Sequence, residues 1–348
     1  MGRGHAIPDL AIVAELRKIC PEIRIVFVSY GTGAEIFAAA GEETVHLGLP
    51  EMVSPFELLV SAGVELQKWH SRVVVSHEEA AVMSAAKIFG LPTVFLTHWF
   101  AAPQTPLMQA LVHADEILFM EKAGIFPEPE SVRGRVRYLG PVVRNFQFRP
   151  EHREQVRSEL KMDPNESLIL VLPGREWSGN ASALCDLVVQ AFELMDRPKK
   201  RLLWVTGKDR DTVLNQVSGH AGIQVVPVER QVERLMVASD LAITRGTYST
   251  GNELQALGIP SISLSDGTNY IDDFFARARA KASFYWWAET DAAILAKRME
   301  TLLDQGLLTP DSGLLQGRGA KSVAEALAAS LRARNSASHS LTRSSSRV

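Results

Sequence analysis

Leu241–Pro260, LAITRGTYSTGNELQALGIP, is the stretch on which the reading of this chain turns. It opens on a short apolar run, Leu241–Ile243, of the kind that fills a buried parallel strand. Helical spacing follows over Ser249–Leu257, so Arg245–Thr250 reads as a strand-to-helix loop. Amide groups at a helix start lack partners within the helix and carry the positive end of its dipole, which suits phosphate. Gly246 and Gly251 let a ligand approach the backbone closely, while Thr247, Ser249 and Thr250 add hydroxyl donors. Glu253 falls in the first helical turns, where a carboxylate can accept from paired ribose hydroxyls. The same residues also describe an ordinary capped helix whose Glu253 answers the dipole.

Outward from this stretch, short β-branched runs alternate with longer helical periodicities. Downstream lie a strand at Ser261–Leu264 and helices at Ile271–Ala282, Ala292–Leu303 and Val323–Leu331. Upstream, strands Leu168–Leu172, Arg201–Val205 and Gln224–Val226 alternate with helices Ala181–Met195, Asp211–Val217 and Val232–Ala238. An earlier set has strands at Ile23–Ser29, Arg72–Ser76, Thr93–Leu96, Glu116–Phe119 and Val136–Leu139, with a helix at Glu78–Phe89. Continuous apolar strands alternating with helices predict an α/β chain of two doubly wound, Rossmann-like domains facing a cleft. The expected division is residues 1–145, then 146–333, then a disordered tail over 334–348 that is mostly Ser, Arg, Asn and Ala.

The 348 residues suit two domains, and the 46% hydrophobic share supplies a core for each. A net charge of −3 argues against a general nucleic-acid binder. Two cysteines exclude a disulfide scaffold and a cysteine-rich zinc module. No apolar run reaches the ~20 residues of a membrane span. These features predict a cytoplasmic protein.

Several motifs in order resemble one family, the GT-B glycosyltransferases of the MurG type. Arg245, Thr250, Glu253, Gly258 and Pro260 match its donor-nucleotide pattern in register. The stretch Val225–Glu229 followed by Ala238–Leu241 matches the segment that brings backbone groups near Val228 and Glu229 to the nucleobase. Tyr138–Arg144 resembles an interdomain motif whose arginine, here Arg144, faces the donor phosphates. Gly4-His5 and Pro8 resemble the end of a glycine-rich N-terminal loop. The likeness spans about residues 2–285.

The resemblance implies transfer of a sugar, an N-acetylhexosamine among the candidates, from a UDP-sugar co-substrate to an unidentified hydroxyl acceptor. It implies no cofactor and no metal, because helix termini and basic side chains stabilise the leaving diphosphate. His5 would take the acceptor proton, unless it only caps the first helix. His77 and His98 follow strands at the carboxyl edge of the sheet, where they could meet an acceptor or serve structure alone. Lipid-linked or cell-envelope acceptors of such enzymes imply peripheral contact with the inner face of the membrane, for which Phe95–Ala102 is the candidate apolar patch, although parallel-strand burial alone explains its first half.

Two departures are informative. The glycine-rich loop of the second domain reads Leu172-Pro173-Gly174-Arg175-Glu176, where Gly174 permits approach and Arg175 brings charge but Pro173 removes a donor. The donor-sugar segment carries Asp272 and Asp273 in place of amides. Two alternatives therefore stand beside transfer: a UDP-sugar 2-epimerase or hydrolase of the same fold, and a nucleotide-sugar-binding protein without turnover. Finally, Met1–His5 reads as a glycine-rich turn feeding a helix, with the strand such a turn normally follows missing. The expectation is a working form that starts upstream of Met1.

Overall fold

The computed structural model describes residues 3–50, 53–100, 105–173, 181–206, 210–227, 231–267, 270–279 and 284–344. In chain order its elements are α1 (Arg3–Ile19), β1 (Phe27–Ser29), α2 (Gly31–Ala39), β2 (Thr44–His46), α3 (Pro55–Trp69), β3 (Val74–His77), α4 (Ala80–Ile88), β4 (Thr93–Thr97), α5 (Pro106–Leu111), β5 (Glu116–Phe119) and β6 (Val136–Tyr138). They continue with α6 (Arg153–Glu159), β7 (Ser167–Leu172), α7 (Ala181–Leu194), β8 (Lys200–Thr206), α8 (Arg210–Val217), β9 (Ile223–Pro227), α9 (Val232–Ala238), β10 (Leu241–Thr244) and α10 (Tyr248–Leu257). The last are β11 (Ser261–Ser265), α11 (Tyr270–Arg279), β12 (Phe284–Trp286), α12 (Ala292–Gln305), α13 (Ser312–Leu315) and α14 (Arg318–Ser344).

The chain forms two compact units, Met1–Arg144 with Gly317–Val348, and Asn145–Gln316. The second unit has one parallel sheet in the order β12-β11-β10-β7-β8-β9. Strand order reverses between β7 and β10, so their carboxyl ends flank a switch-point crevice, the usual ligand site of an open α/β sheet. Apolar strand residues such as Ile169, Trp204 and Ile243 pack under α7 and α12 through Phe192 and Met299.

The first unit has a four-stranded parallel sheet, β3-β4-β5-β6, and a separate parallel pair, β1-β2. Its core joins α1 to β4, β5 and α14 through Ile12, Leu16, Leu96, Leu118, Val323 and Leu327. A cavity of about 870 Å³ is walled by residues that include Ile12, Leu16, Val28, Val75 and Leu327.

Three sequence expectations are corrected here. Residues 317–333 belong with the first unit rather than the second. The reason is close packing on the first unit's own chain: a Cβ at Gly319 would stand 2.0 Å from the Pro141 carbonyl oxygen. The helix α14 runs on to Ser344 where a disordered tail was expected over 334–348, extending the Ala-rich turns of 320–333 because propagation from an existing helix is easier than nucleation. The opening Met1–His5 turn gives way to a helix that begins at Arg3, with Pro8 tolerated near its start.

Candidate functional site

Two groups of residues carry chemistry, one in each unit. In the second unit, β10 ends at Thr244 and the chain turns into α10 through Arg245, Gly246 and Thr247. Gly246 has φ +84°, and a Cβ there would lie 2.4 Å from the Ala276 Cβ and 2.9 Å from Ser263 Oγ. Only glycine fits, because both the backbone angle and the space forbid a side chain. Thr247 occupies the N-cap without a side-chain capping bond. Thr247, Ser249 and Thr250 are half-buried at this end.

Beside the turn, the buried Arg245 guanidinium pairs with Asp266 at 3.2 Å. Glu253 is buried and already engaged by the surrounding structure. Its neighbour Asn252, which the sequence did not single out, is buried with an Nδ2 that has no hydrogen-bond partner. Asp273 faces inward, where its Oδ1 accepts from Ser265 Oγ, and Ser265 Oγ in turn accepts from the Gly267 amide. That side chain ties α11 to the end of β11. Gly174, Arg175, Val228 and Glu229 lie outside the described residues, as does the side chain of Asp272 on α11.

In the first unit, His5, His77 and His98 gather around a carboxylate that sequence reasoning missed, Glu78. His77 ends β3, and Glu78 follows it with φ +62°, a conformation a glutamate adopts only when its surroundings demand it. The β3–β4 register sets His77 against Leu96, which brings Glu78 beside Thr97 and His98. Glu78 Oε1 accepts from Thr97 Oγ1 at 2.9 Å and from the His98 amide at 3.2 Å, and it lies 2.9 Å from His98 Nδ1. Glu78 Oε2 lies 3.0 Å from His5 Nε2 in the first turns of α1. One helical turn on, Asp9 Oδ1 lies 2.7 Å from Nδ1 of the buried His77.

These contacts set the charges. Burial would raise the Glu78 carboxyl, but His98 and His5 outweigh it and hold it well below the usual carboxylate range. Burial lowers His98 despite its contact with Glu78. Burial also opposes charge on His77, yet Asp9 overcomes it and the imidazole is raised. Position after a strand at the sheet's carboxyl edge was the one sequence signal that could have found Glu78. Asp9 carried none.

Arg144 ends the first of the two segments that make up the first unit, half-buried and engaged, after the buried Val142 and Val143. The apolar patch expected over Phe95–Ala102 is corrected: Phe95, Leu96 and Phe100 are buried, because β4 is an inner strand. Ala101 and Ala102 lie outside the described residues. Exposed apolar side chains occur instead on one face of α3, at Phe56, Val60 and Val64, a spacing of four residues. Among the described residues no helix is long and apolar enough to cross a membrane.

No protein-family profile matches the chain. It is 28% identical to the UDP-N-acetylglucosamine–N-acetylmuramyl-(pentapeptide) pyrophosphoryl-undecaprenol N-acetylglucosamine transferase of Desulforudis audaxviator, over 89% of this chain and 87% of that protein. Among solved structures it is similar to MurG of Acinetobacter baumannii, with 16% identity, 92% of each chain covered and a TM-score of 0.59. It is also similar to the UDP-GlcNAc 2-epimerase of Methanocaldococcus jannaschii, with 14% identity, 94% of this chain and 97% of that one covered, and a TM-score of 0.66. With its two Rossmann-like units, the chain has the GT-B glycosyltransferase fold and resembles the MurG-type enzymes over most of its length.

Proposed function

We propose that this protein is a glycosyltransferase that moves a sugar, an N-acetylhexosamine by its relatives, from a UDP-sugar to a hydroxyl acceptor without a metal. The observation that carries this reading is the strand–turn–helix at β10–α10, where Gly246 admits no side chain and the first amides of α10 lie beside the switch point. The diphosphate would sit at those amides and at the hydroxyls of Thr247, Ser249 and Thr250. Arg144, Gly174 and Arg175 are proposed to add to the phosphate site, Val228 and Glu229 to receive the base, Glu253 the ribose and Asp272 the sugar, whereas Asp273, expected beside it, is buried and bonded to Ser265.

In the reaction the acceptor oxygen attacks the anomeric carbon, the bond from that carbon to the diphosphate oxygen breaks, and UDP leaves. His5 is the proposed base. With its Nε2–H donated to Glu78, the lone pair lies on Nδ1, and the carboxylate stabilises the imidazolium that forms. A lipid-linked acceptor, such as the undecaprenol carrier in the relative's name, fits the exposed face of α3 as a peripheral membrane contact.

Calorimetry with UDP and product analysis in the presence of EDTA test the proposal. The expected result is UDP binding that weakens in Glu253→Ala, and EDTA-resistant transfer that falls ~10²–10⁴-fold in His5→Ala. No heat at millimolar UDP overturns it. The 2-epimerase or hydrolase reading draws on the epimerase-like fold and on several acid–base groups around Glu78. Rapid consumption of UDP-GlcNAc with no acceptor present would select it.

A further inference from the structure

His5, His77 and Glu78 each place one ligating atom within 4.8 Å of the other two. Among the described residues no other trio of His, Cys, Asp and Glu converges in this way. Ligand atoms ~2.1 Å from a tetrahedral zinc ion stand roughly 3.4 Å apart, so small side-chain rotations would close the three around one ion.

The surroundings are built for ligation. His77 is 6% exposed, and its Nε2 has no hydrogen-bond partner. Its Nδ1 is held by Asp9 at 2.7 Å, the carboxylate–histidine arrangement that fixes the ring and leaves Nε2 to a metal. One oxygen of Glu78 is occupied by Thr97 and His98, which turns the other toward His5. Two imidazoles and one carboxylate form a nitrogen-rich set with a fourth position left to water.

We propose that His5, His77 and Glu78 bind one divalent transition-metal ion of the zinc class, oriented by Asp9 and His98. This departs from the sequence expectation of no metal, which was drawn from how such enzymes hold their leaving group. Metal here would take the His5 ring from its bond with Glu78 and block it as a base. That consequence for catalysis rests on the proposed function, whereas the binding itself does not.

The test is equilibrium dialysis of the EDTA-stripped full chain against Zn(II) and, separately, Co(II), with visible absorption of the Co(II) form. The expected result is one equivalent bound with an intense tetrahedral Co(II) spectrum. Affinity should fall ~10–100-fold in Asp9→Asn, and the spectrum should vanish in His77→Ala. Should His77→Ala not fold, the half-exposed His5 gives His5→Ala the same expected loss. His220→Ala, which alters a surface His–Glu pair in the other unit, should bind as the parent does. Absence of stoichiometric binding, or equal binding by His5→Ala and the parent, overturns the site. Metal binding without UDP binding would leave the site standing and remove the transferase reading. EDTA-resistant transfer with no metal binding would do the reverse.

Discussion

The two units are made from the same kind of sequence yet are filled differently. In the second, β10 lies inside a six-stranded parallel sheet with every residue buried. In the first, β1-β2 and β3-β6 form separate sheets, and Val75 of β3 is 41% exposed on the wall of the large cavity. Among the described residues each of β1 and β3 therefore keeps an edge without a strand partner, and apolar walls beside a void lose dispersion contacts. A run of valines specifies a parallel strand but not whether both its neighbours are present.

The units also share a device. Asp240 precedes β10 and accepts from the Leu168 amide at 2.7 Å, and Asp115 precedes β5 and accepts from the Thr93 amide at 2.7 Å. Each carboxylate fixes where the neighbouring strand starts. Asp240 is further clamped by Arg153 and Arg157, whereas Asp115 pairs with the more exposed Lys87.

The contrast in filling is sharpest at the core. Trp204→Ala, at a side chain 1% exposed, should cost about 3–5 kcal/mol in urea unfolding. Leu16→Ala, at a core side chain that also faces the cavity, should fall at the low end of the ~2–5 kcal/mol range, because one side of it already lacks packing partners. Equal costs would break the comparison. Next in size, Gly246→Ala should cost roughly 1–3 kcal/mol through overpacking and weaken UDP binding in calorimetry. Asp240→Ala should fall in the same range of about 1–3 kcal/mol, through unpaired arginines and an orphaned amide.

A gain is expected in the first unit alone. Val75→Phe should fill part of the cavity and add ~0.5–2 kcal/mol, read as a rise in Tm. A drop would mean the void is closed by motion of its walls. The smallest effect belongs to Asp115. Burial would raise its carboxyl, but Lys87 and the Thr93 amide overcome that and lower it below the ordinary carboxylate value. A lowered carboxylate stabilises the fold above its unfolded pKa, and that stability is lost as pH falls through the folded value. Asp115→Asn should thus lose slightly in stability near neutrality and differ least from the parent in acid.

Much of the second unit was legible because its strands are short apolar runs between clear turns. Val232–Ala238 matches α9, and Leu168–Leu172 misses β7 by one residue. The first unit was read less well. Ile23–Ser29 looks like one strand, yet only Phe27–Ser29 pairs, since Ile23 and Ile25 pack against the core before the strand begins. The helix α3 was missed although Ser54 and Glu57 form a capping box ahead of it.

At the sites, the sequence located the β10–α10 loop, His77 and His98, because position after a strand is a local property, and His5 through its Gly-His motif. It could not tell that Asp273 is committed to Ser265, or that Glu78 is the group on which His5 and His98 converge. His5 and Glu78 are 73 residues apart, and Asp9 and His77 are 68 apart. Periodicity records which face of an element is buried and nothing about which distant element meets it. Strand register and the docking of α1 decide that, and they exist only in the folded unit. By itself the sequence determined an α/β chain with a phosphate-suited turn near residue 246. Tertiary packing alone decided the split sheet, the return of α14 to the first unit, and the cluster around Glu78.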